Sequence, residues 1–275
     1  LSYIGAKPVF VDIDKDTLSL SPEKLEHFLT HKTEMVNGNC INKKTKKKIK
    51  AVVPMHTFGF SARIDEIITV CNRFNIATVE DAAESLGSYY KGQHTGTFGL
   101  LGTFSFNGNK TITTGGGGML VTNDDEIARK AKHITTTAKI PHPWDYEHDM
   151  IGYNYRLPNI NAALGYAQME ELSFILKKKK ILADKYETFF KDKSIQYITG
   201  PKESISNYWL NAVLLENLEE RNSFLKVTNE NGVMTRPIWK LMNSLPMFKN
   251  AQTGNLDNAK YFEERVINIP SSVIL

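Results

Sequence analysis

Cysteine is nearly absent from this chain: it has two, Cys40 and Cys71, and neither sits at a close Cys/His ligand spacing. That excludes a disulfide-stapled scaffold and argues against a structural zinc site. No apolar run is long enough to span a bilayer, and no signal-peptide pattern opens the sequence. The cytoplasm is therefore the expected compartment, with no membrane partner. A strong charge of either sign is also lacking, since 34 Lys and Arg against 30 Asp and Glu leave a formal +4. The excess is local: Lys43, Lys44, Lys46, Lys47, Lys48 and Lys50 crowd one polar stretch. No aromatic residue interleaves with them, as a stacking surface for single strands requires. A solvated loop is expected there, and no nucleic-acid binding. His142 and His148 flank Trp144-Asp145-Tyr146 at a spacing that fits no helical pair, so no metal is expected.

What is present is an ordinary globular balance, 41% hydrophobic and 23% charged, over 275 residues. That length allows one large or two modest domains with a proper core. Residues 51–56 are a short apolar run expected to be a buried strand. Apolar residues at 64, 67, 68, 71 and 74 then recur at helical spacing, and 76–79 is the next strand. Strand, helix and strand make a βαβ unit with parallel strands and the helix packed on the sheet. Asp81 falls just past a strand's carboxyl end, where open α/β sheets place their ligands.

Strands are expected again at 102–106 and 117–122, with Lys110 in the loop between them, and a helix from 123–125 to about 132. Residues 133–155 form an irregular, functional loop. Residues 159–190 carry a helical pattern, as two helices or one bent helix. From about 191 the rhythm changes, with a strand near 208–214 and a helix near 218–231. The expected division is a large α/β domain over 1–175 and a smaller α+β domain over 176–275. The chain starts on Leu1 and runs at once into the strand-like Pro8-Val9-Phe10-Val11-Asp12, so a further N-terminal part of the large domain is expected ahead of it.

Asp81 and Lys110 carry the chemistry. A lysine amine can condense with an aldehyde, and a carboxylate can keep a ring nitrogen protonated. Their surroundings are specific. Val79-Glu80-Asp81-Ala82-Ala83-Glu84, Phe104-Ser105-Phe106-Asn107-Gly108-Asn109-Lys110, Thr113-Thr114-Gly115-Gly116-Gly117-Gly118 and Gly152-Tyr153-Asn154-Tyr155-Arg156-Leu157 occur in that order. Together they closely resemble the DegT/StrS family of sugar aminotransferases. Glu80-Asp81-Ala82-Ala83-Glu84-Ser85-Leu86-Gly87, Phe106-Asn107-Gly108-Asn109-Lys110 and Thr235-Arg236-Pro237-Ile238-Trp239 are most similar to the legionaminic-acid pathway members.

The resemblance implies the α/β architecture of fold type I pyridoxal phosphate transferases, here N-terminally truncated: a mostly parallel sheet flanked by helices, with a smaller C-terminal α+β domain. It implies pyridoxal 5'-phosphate as cofactor, L-glutamate as donor and a UDP- or GDP-linked 4-keto-6-deoxy-N-acetylhexosamine as acceptor. Lys110 is then the catalytic lysine, Asp81 the partner of the pyridine nitrogen, and Ser105 a phosphate ligand. Glu84, one turn beyond Asp81 if that segment is helical, is expected near the ring hydroxyl. Asn154 is expected to reach the phosphate of a neighbouring subunit, which makes the active unit a homodimer with composite sites. His56 and Arg156 are expected to line the substrate site. Residues 115–118 lack the spacing of a phosphate cradle and precede a strand, so they are expected to give backbone room beside the Lys110 loop. Family members carry a preceding phosphate loop and a ring-stacking aromatic, neither of which is seen before Ile4. Two alternatives stay open: another nucleotide-sugar aminotransferase, such as a perosamine-type enzyme, and a catalytically silent assembly module.

Overall fold

The computed structural model describes residues 1–273. Its first sheet has four strands in the order Ala51–Val52, Ala77–Asp81, Leu101–Ser105, Gly118–Val121. The first three are parallel and the last pairs antiparallel at the edge, so the sheet is mostly parallel, as expected. The βαβ unit is present, its helix running over Ile64–Arg73. That helix buries Ile64, Ile67, Val70 and Cys71, and Asp65 and Glu66 in its first turn complement the positive end of its dipole.

A second helix, Pro22–Lys32, packs beside it. Ser21 caps it by accepting the Lys24 N–H, and Pro22 stands where no intrahelical donor is needed. Between the helices and the sheet lies a core of Leu25, Phe28, Leu29, Val52, Ile67, Val70 and Ile76. Both cysteines sit in this core, free and fully buried. They serve as small hydrophobes, and burial pushes the Cys71 thiol up. The lysine-rich stretch follows a hairpin of Thr33–Val36 and Asn39–Asn42, turned by Asn37 and Gly38 at positive φ. All six of its lysines are exposed.

The second sheet is antiparallel, in the order Gln196–Tyr197, Asn211–Leu214, Val266–Ile269, Arg236–Pro237. The expected helical stretch is two helices, Asn159–Glu170 and Leu172–Phe190. The division expected at 175/176 falls inside the second of these. Ile175 packs with Phe104, Phe106 and Ile112 of the first sheet's layer, while Tyr186 and Phe190 pack with Val213 and Ile267 of the second sheet. The two units also share a core in which Leu18, Phe58 and Phe60 meet Trp209, Ala212, Phe262 and Val266.

At the carboxyl end of the first sheet the strands are in register: Met55 bridges Asp81, and Asp81 lies opposite Thr103. The Ala77–Asp81 strand alternates, with Thr78 and Glu80 buried and Asp81 half-buried. The Glu80 carboxylate is 0% exposed and accepts four hydrogen bonds, from His56 Nε2 (2.9 Å) and from the N–H groups of Gly96, Phe98 and Gly99 (2.7 Å each). Burial alone would raise its pKa, but the His56 bond and the glycine N–H groups outweigh that and hold it below the ordinary glutamate value. Replacing Glu80 with Ala leaves these donors facing a cavity, and the expected cost is about 3–5 kcal/mol of unfolding free energy. Urea denaturation at neutral pH measures it, and a loss below about 1 kcal/mol would show the cluster to be dispensable.

Candidate active site

The Leu101–Ser105 strand delivers the chain to the loop that carries Lys110. That loop is closed by the Lys110 N–H on the Asn107 carbonyl (3.0 Å) and by Thr114 N–H on the Phe106 carbonyl (3.0 Å). Lys110 is half-buried, and its Nζ lies 4.3 Å from the centre of the Trp209 ring. Among the described residues its nearest carboxylate oxygen is Glu84 Oε1 at 4.0 Å, too long for a hydrogen bond. The amine is therefore shielded by an aromatic face and not consumed by a tight ion pair.

Glu84 is buried, and the Phe58 N–H donates to its Oε2 (2.9 Å). The segment after Asp81 is not helical: residues 82–87 form tight turns. Asp81 Oδ1 accepts the Ala83 N–H (3.1 Å), which favours a turn over helix continuation. Glu84 reaches the Lys110 amine nonetheless. Burial pushes its carboxyl up to about 7, assisted by the negative charge of Asp81 and opposed by the Phe58 N–H and Lys110.

Residues from the second unit complete the cluster, and sequence reasoning missed them. Asn207 is buried and donates through Nδ2 to the carbonyls of Glu84 (2.8 Å) and Leu86 (2.9 Å) and to Thr111 Oγ1 (3.2 Å). Its Oδ1 accepts the Trp209 N–H (2.8 Å), and Trp209 Nε1 donates to the Asn109 carbonyl (2.7 Å). Gly59 stands at φ 91, and a Cβ there would collide with the Asn207 amide oxygen. The word Asn207-Tyr208-Trp209 held the only signal, a polar residue leading into an aromatic pair.

The remaining expected residues lie outside this cluster of contacts. Ser105 ends its strand half-buried, its Oγ accepting a long bond from Asn107 N–H (3.4 Å). His56 is fully buried beneath the strand ends: Nδ1 accepts the Ala62 N–H (3.1 Å), so Nε2 carries the proton given to Glu80. In this geometry it presents no free ring nitrogen to a substrate, and its work is to hold Glu80. Asn154 and Arg156 are exposed and lie outside the Lys110 cluster. Asn154 bridges Thr136, while Arg156 lines a cleft of about 470 Å³ with Thr136, Lys139, Pro141, His142 and Pro143. The glycine run folds as backbone room: a Cβ on Gly117 would come within 2.9 Å of the Leu157 side chain, and one on Gly118 would strike the Phe104 carbonyl. Among the described residues no group of three or more His, Cys, Asp or Glu could hold a metal ion, and no helix is long and apolar enough to cross a membrane.

A mostly parallel sheet with Asp81 at a strand's carboxyl end is consistent with the fold type I architecture. The model of the DegT/DnrJ/EryC1/StrS aminotransferase family matches residues 1–275, and the chain belongs to that family. It is 38% identical over 250 residues to EpsN of Bacillus subtilis, covering 90% of this chain and 62% of that protein. It is 35% identical over 271 residues to GDP-perosamine synthase of Escherichia coli O157:H7, covering 98% of this chain and 69% of that protein. Among solved structures, the PLP form of Spr1654 from Streptococcus pneumoniae superposes with a TM-score of 0.84 at 25% identity, covering all of this chain and 72% of that one. The chain thus spans about two thirds of the length of these relatives.

The Glu84 carboxyl gives a direct test of this geometry. From pH 4.5 to about 7 the folded chain keeps a proton that the unfolded chain releases, so stability falls as pH rises through that window. Glu84→Gln has no such proton. Its stability relative to the parent is expected to be greater at pH 8 than at pH 4 by up to about 3 kcal/mol. Urea titrations at the two values check this, and an unchanging difference would contradict the raised carboxyl.

Proposed function

We propose that the protein is a pyridoxal 5'-phosphate-dependent aminotransferase that moves the amino group of L-glutamate to the C4 ketone of a UDP- or GDP-linked 4-keto-6-deoxy-N-acetylhexosamine. The reaction releases 2-oxoglutarate and yields the 4-amino sugar, in legionaminic-acid or related surface-glycan synthesis. One observation carries this reading: the Lys110 amine sits at the sheet's carboxyl end against an indole face, with its nearest carboxylate 4.0 Å away. A surface lysine would be solvated, and a structural one would be fully paired.

The residues fit the cofactor by their chemistry. Lys110 would hold its aldehyde carbon covalently, Asp81 would keep the pyridine nitrogen protonated, and the Ser105 hydroxyl would donate to the phosphate. Glu84 would face the ring hydroxyl, where a neutral carboxyl donates a hydrogen bond as an amide would. When bound, the cofactor supplies an electron-poor ring that drains charge from the carbon losing its proton. The Lys110 amine, once displaced by the donor, would take the proton from the donor carbon and return it two atoms along, acting as base and then acid. Trp209 excludes water from this transfer.

A homodimer with composite sites belongs to the same proposal. Asn154 is exposed beside Tyr153 and Tyr155, and the nearby Asn159–Glu170 helix exposes Ile160 and Tyr166 at 85% and 71%. Such an apolar surface suits a second copy that would receive Asn154. A perosamine-type acceptor is the second reading, favoured by the 35% identity to GDP-perosamine synthase.

The test is visible absorbance of the purified protein with pyridoxal phosphate, before and after L-glutamate, beside Lys110→Ala. A visible band that glutamate bleaches and the variant lacks is expected, with amino transfer to the keto-sugar reduced about 10³-fold or more in the variant. Wild-type transfer by Lys110→Ala would sink the proposal.

A further inference from the structure

Lys179 is the one lysine in the long helix Leu172–Phe190 that is buried, at 7% exposure. Its Nζ donates to three backbone carbonyls, those of Tyr208 (3.3 Å), Trp209 (3.2 Å) and Ser271 (3.0 Å). An ammonium has three N–H donors and no acceptor, so these carbonyls satisfy it completely. Among the described residues no carboxylate pairs with it, and burial alone pushes its pKa down to about 8. A buried cation without a counter-ion is costly, and an apolar side chain of similar length would fill the space more cheaply.

What the cation holds accounts for its presence. Two of its carbonyls belong to Tyr208 and Trp209, and Tyr208 is a non-glycine residue at φ 48. A left-handed turn at a bulky residue persists only where its surroundings impose it. Asn207 pins the turn from one side through Glu84 and Leu86 carbonyls, and Lys179 pins it from the other. The third carbonyl ties in Ser271, whose Oγ accepts the Asn211 N–H (2.7 Å) at the start of the next strand. From this turn the Trp209 indole projects over the Lys110 amine and fastens to the Asn109 carbonyl.

We propose that Lys179 is a positioning residue of the Lys110 site: its ammonium clamps the 208–209 turn to the end of the second sheet and so holds the Trp209 indole over the Lys110 amine. The consequence for amino transfer rests on Lys110 being the reacting lysine; the clamp itself does not. Loosening it would let water reach the amine and unlock the indole, with no change to any group that touches substrate.

The experiment measures Lys110 directly in the full chain without added cofactor. Reductive methylation with formaldehyde is followed lysine by lysine by mass spectrometry, alongside amide hydrogen exchange over residues 207–211. Lys179→Met is expected to speed Lys110 methylation about tenfold and to deprotect the 208–210 amides, while distant exposed lysines react as before. Trp209→Leu should give the same rise, the double variant no further rise, and Lys179→Arg a rate near that of the parent. If Lys179→Met does not fold, Trp209→Leu and Lys179→Arg still decide. Unchanged methylation in a folded Lys179→Met or in Trp209→Leu overturns the clamp, as does a Lys179→Arg protein as reactive as Trp209→Leu. Neither readout needs the cofactor, so an absent absorbance band with the expected methylation pattern would count against the aminotransferase reading and leave the clamp standing.

Discussion

A fully buried carboxylate lies at the base of this molecule's chemistry. Glu80 is taken out of water at the end of a central parallel strand, and the desolvation cost is offset because four donors converge on its two oxygens. Those donors come from two separate turns, His56 on one side and the Gly96 to Gly99 backbone on the other. One anion therefore sets the position of both turns against the strand. The strand's alternation then does the rest: with Glu80 pointing into the interior, Asp81 must face the opposite side at the strand end, level with Met55 and Thr103. Asp81, the residue proposed to meet the cofactor, is aimed by the residue before it.

The same economy extends to the second unit. Phe58 and Gly59 both take positive φ, which turns the Phe58 N–H onto Glu84 and brings the Gly59 carbonyl to Ser88 and Ser206. Asn207 occupies the space that the missing Gly59 side chain leaves. Through Asn207 and Trp209 the smaller unit becomes the roof over a lysine that belongs to the larger one. Lys179 reinforces that roof from a helix that spans both.

These connections explain what the sequence discloses and what it conceals. The βαβ unit was legible because Ile64, Ile67 and Cys71 recur at helical spacing between two short apolar strands, and hydrophobic period is a local property. The family was legible through the words around Lys110 and Asp81. The Glu80–His56 bond was not legible because it joins residues 24 apart, and nothing in either neighbourhood marks the two as partners. No helical turn leads to Glu84 because the Asp81 side chain captures the Ala83 N–H, a competition that periodicity does not register. Asn207, Trp209 and Lys179 were invisible for a simpler reason. Each acts on backbone groups 29 to 123 residues away, and a carbonyl has no sequence signature.

The electrostatics of the cluster follow from the same construction. An ionised carboxylate 4.0 Å from an ammonium attracts it by on the order of 4 kcal/mol at an effective dielectric near 20. An attraction of that size would tie the amine to the carboxylate and restrict its movement. Burial counters this by raising the Glu84 carboxyl to about 7, so below that pH the group beside Lys110 is a neutral hydrogen-bonding acid. The indole of Trp209 supplies a softer, uncharged attraction on the other side of the amine. Below about pH 7 Glu84 is mostly neutral, as a glutamine would be at every pH and a well-solvated glutamate would not.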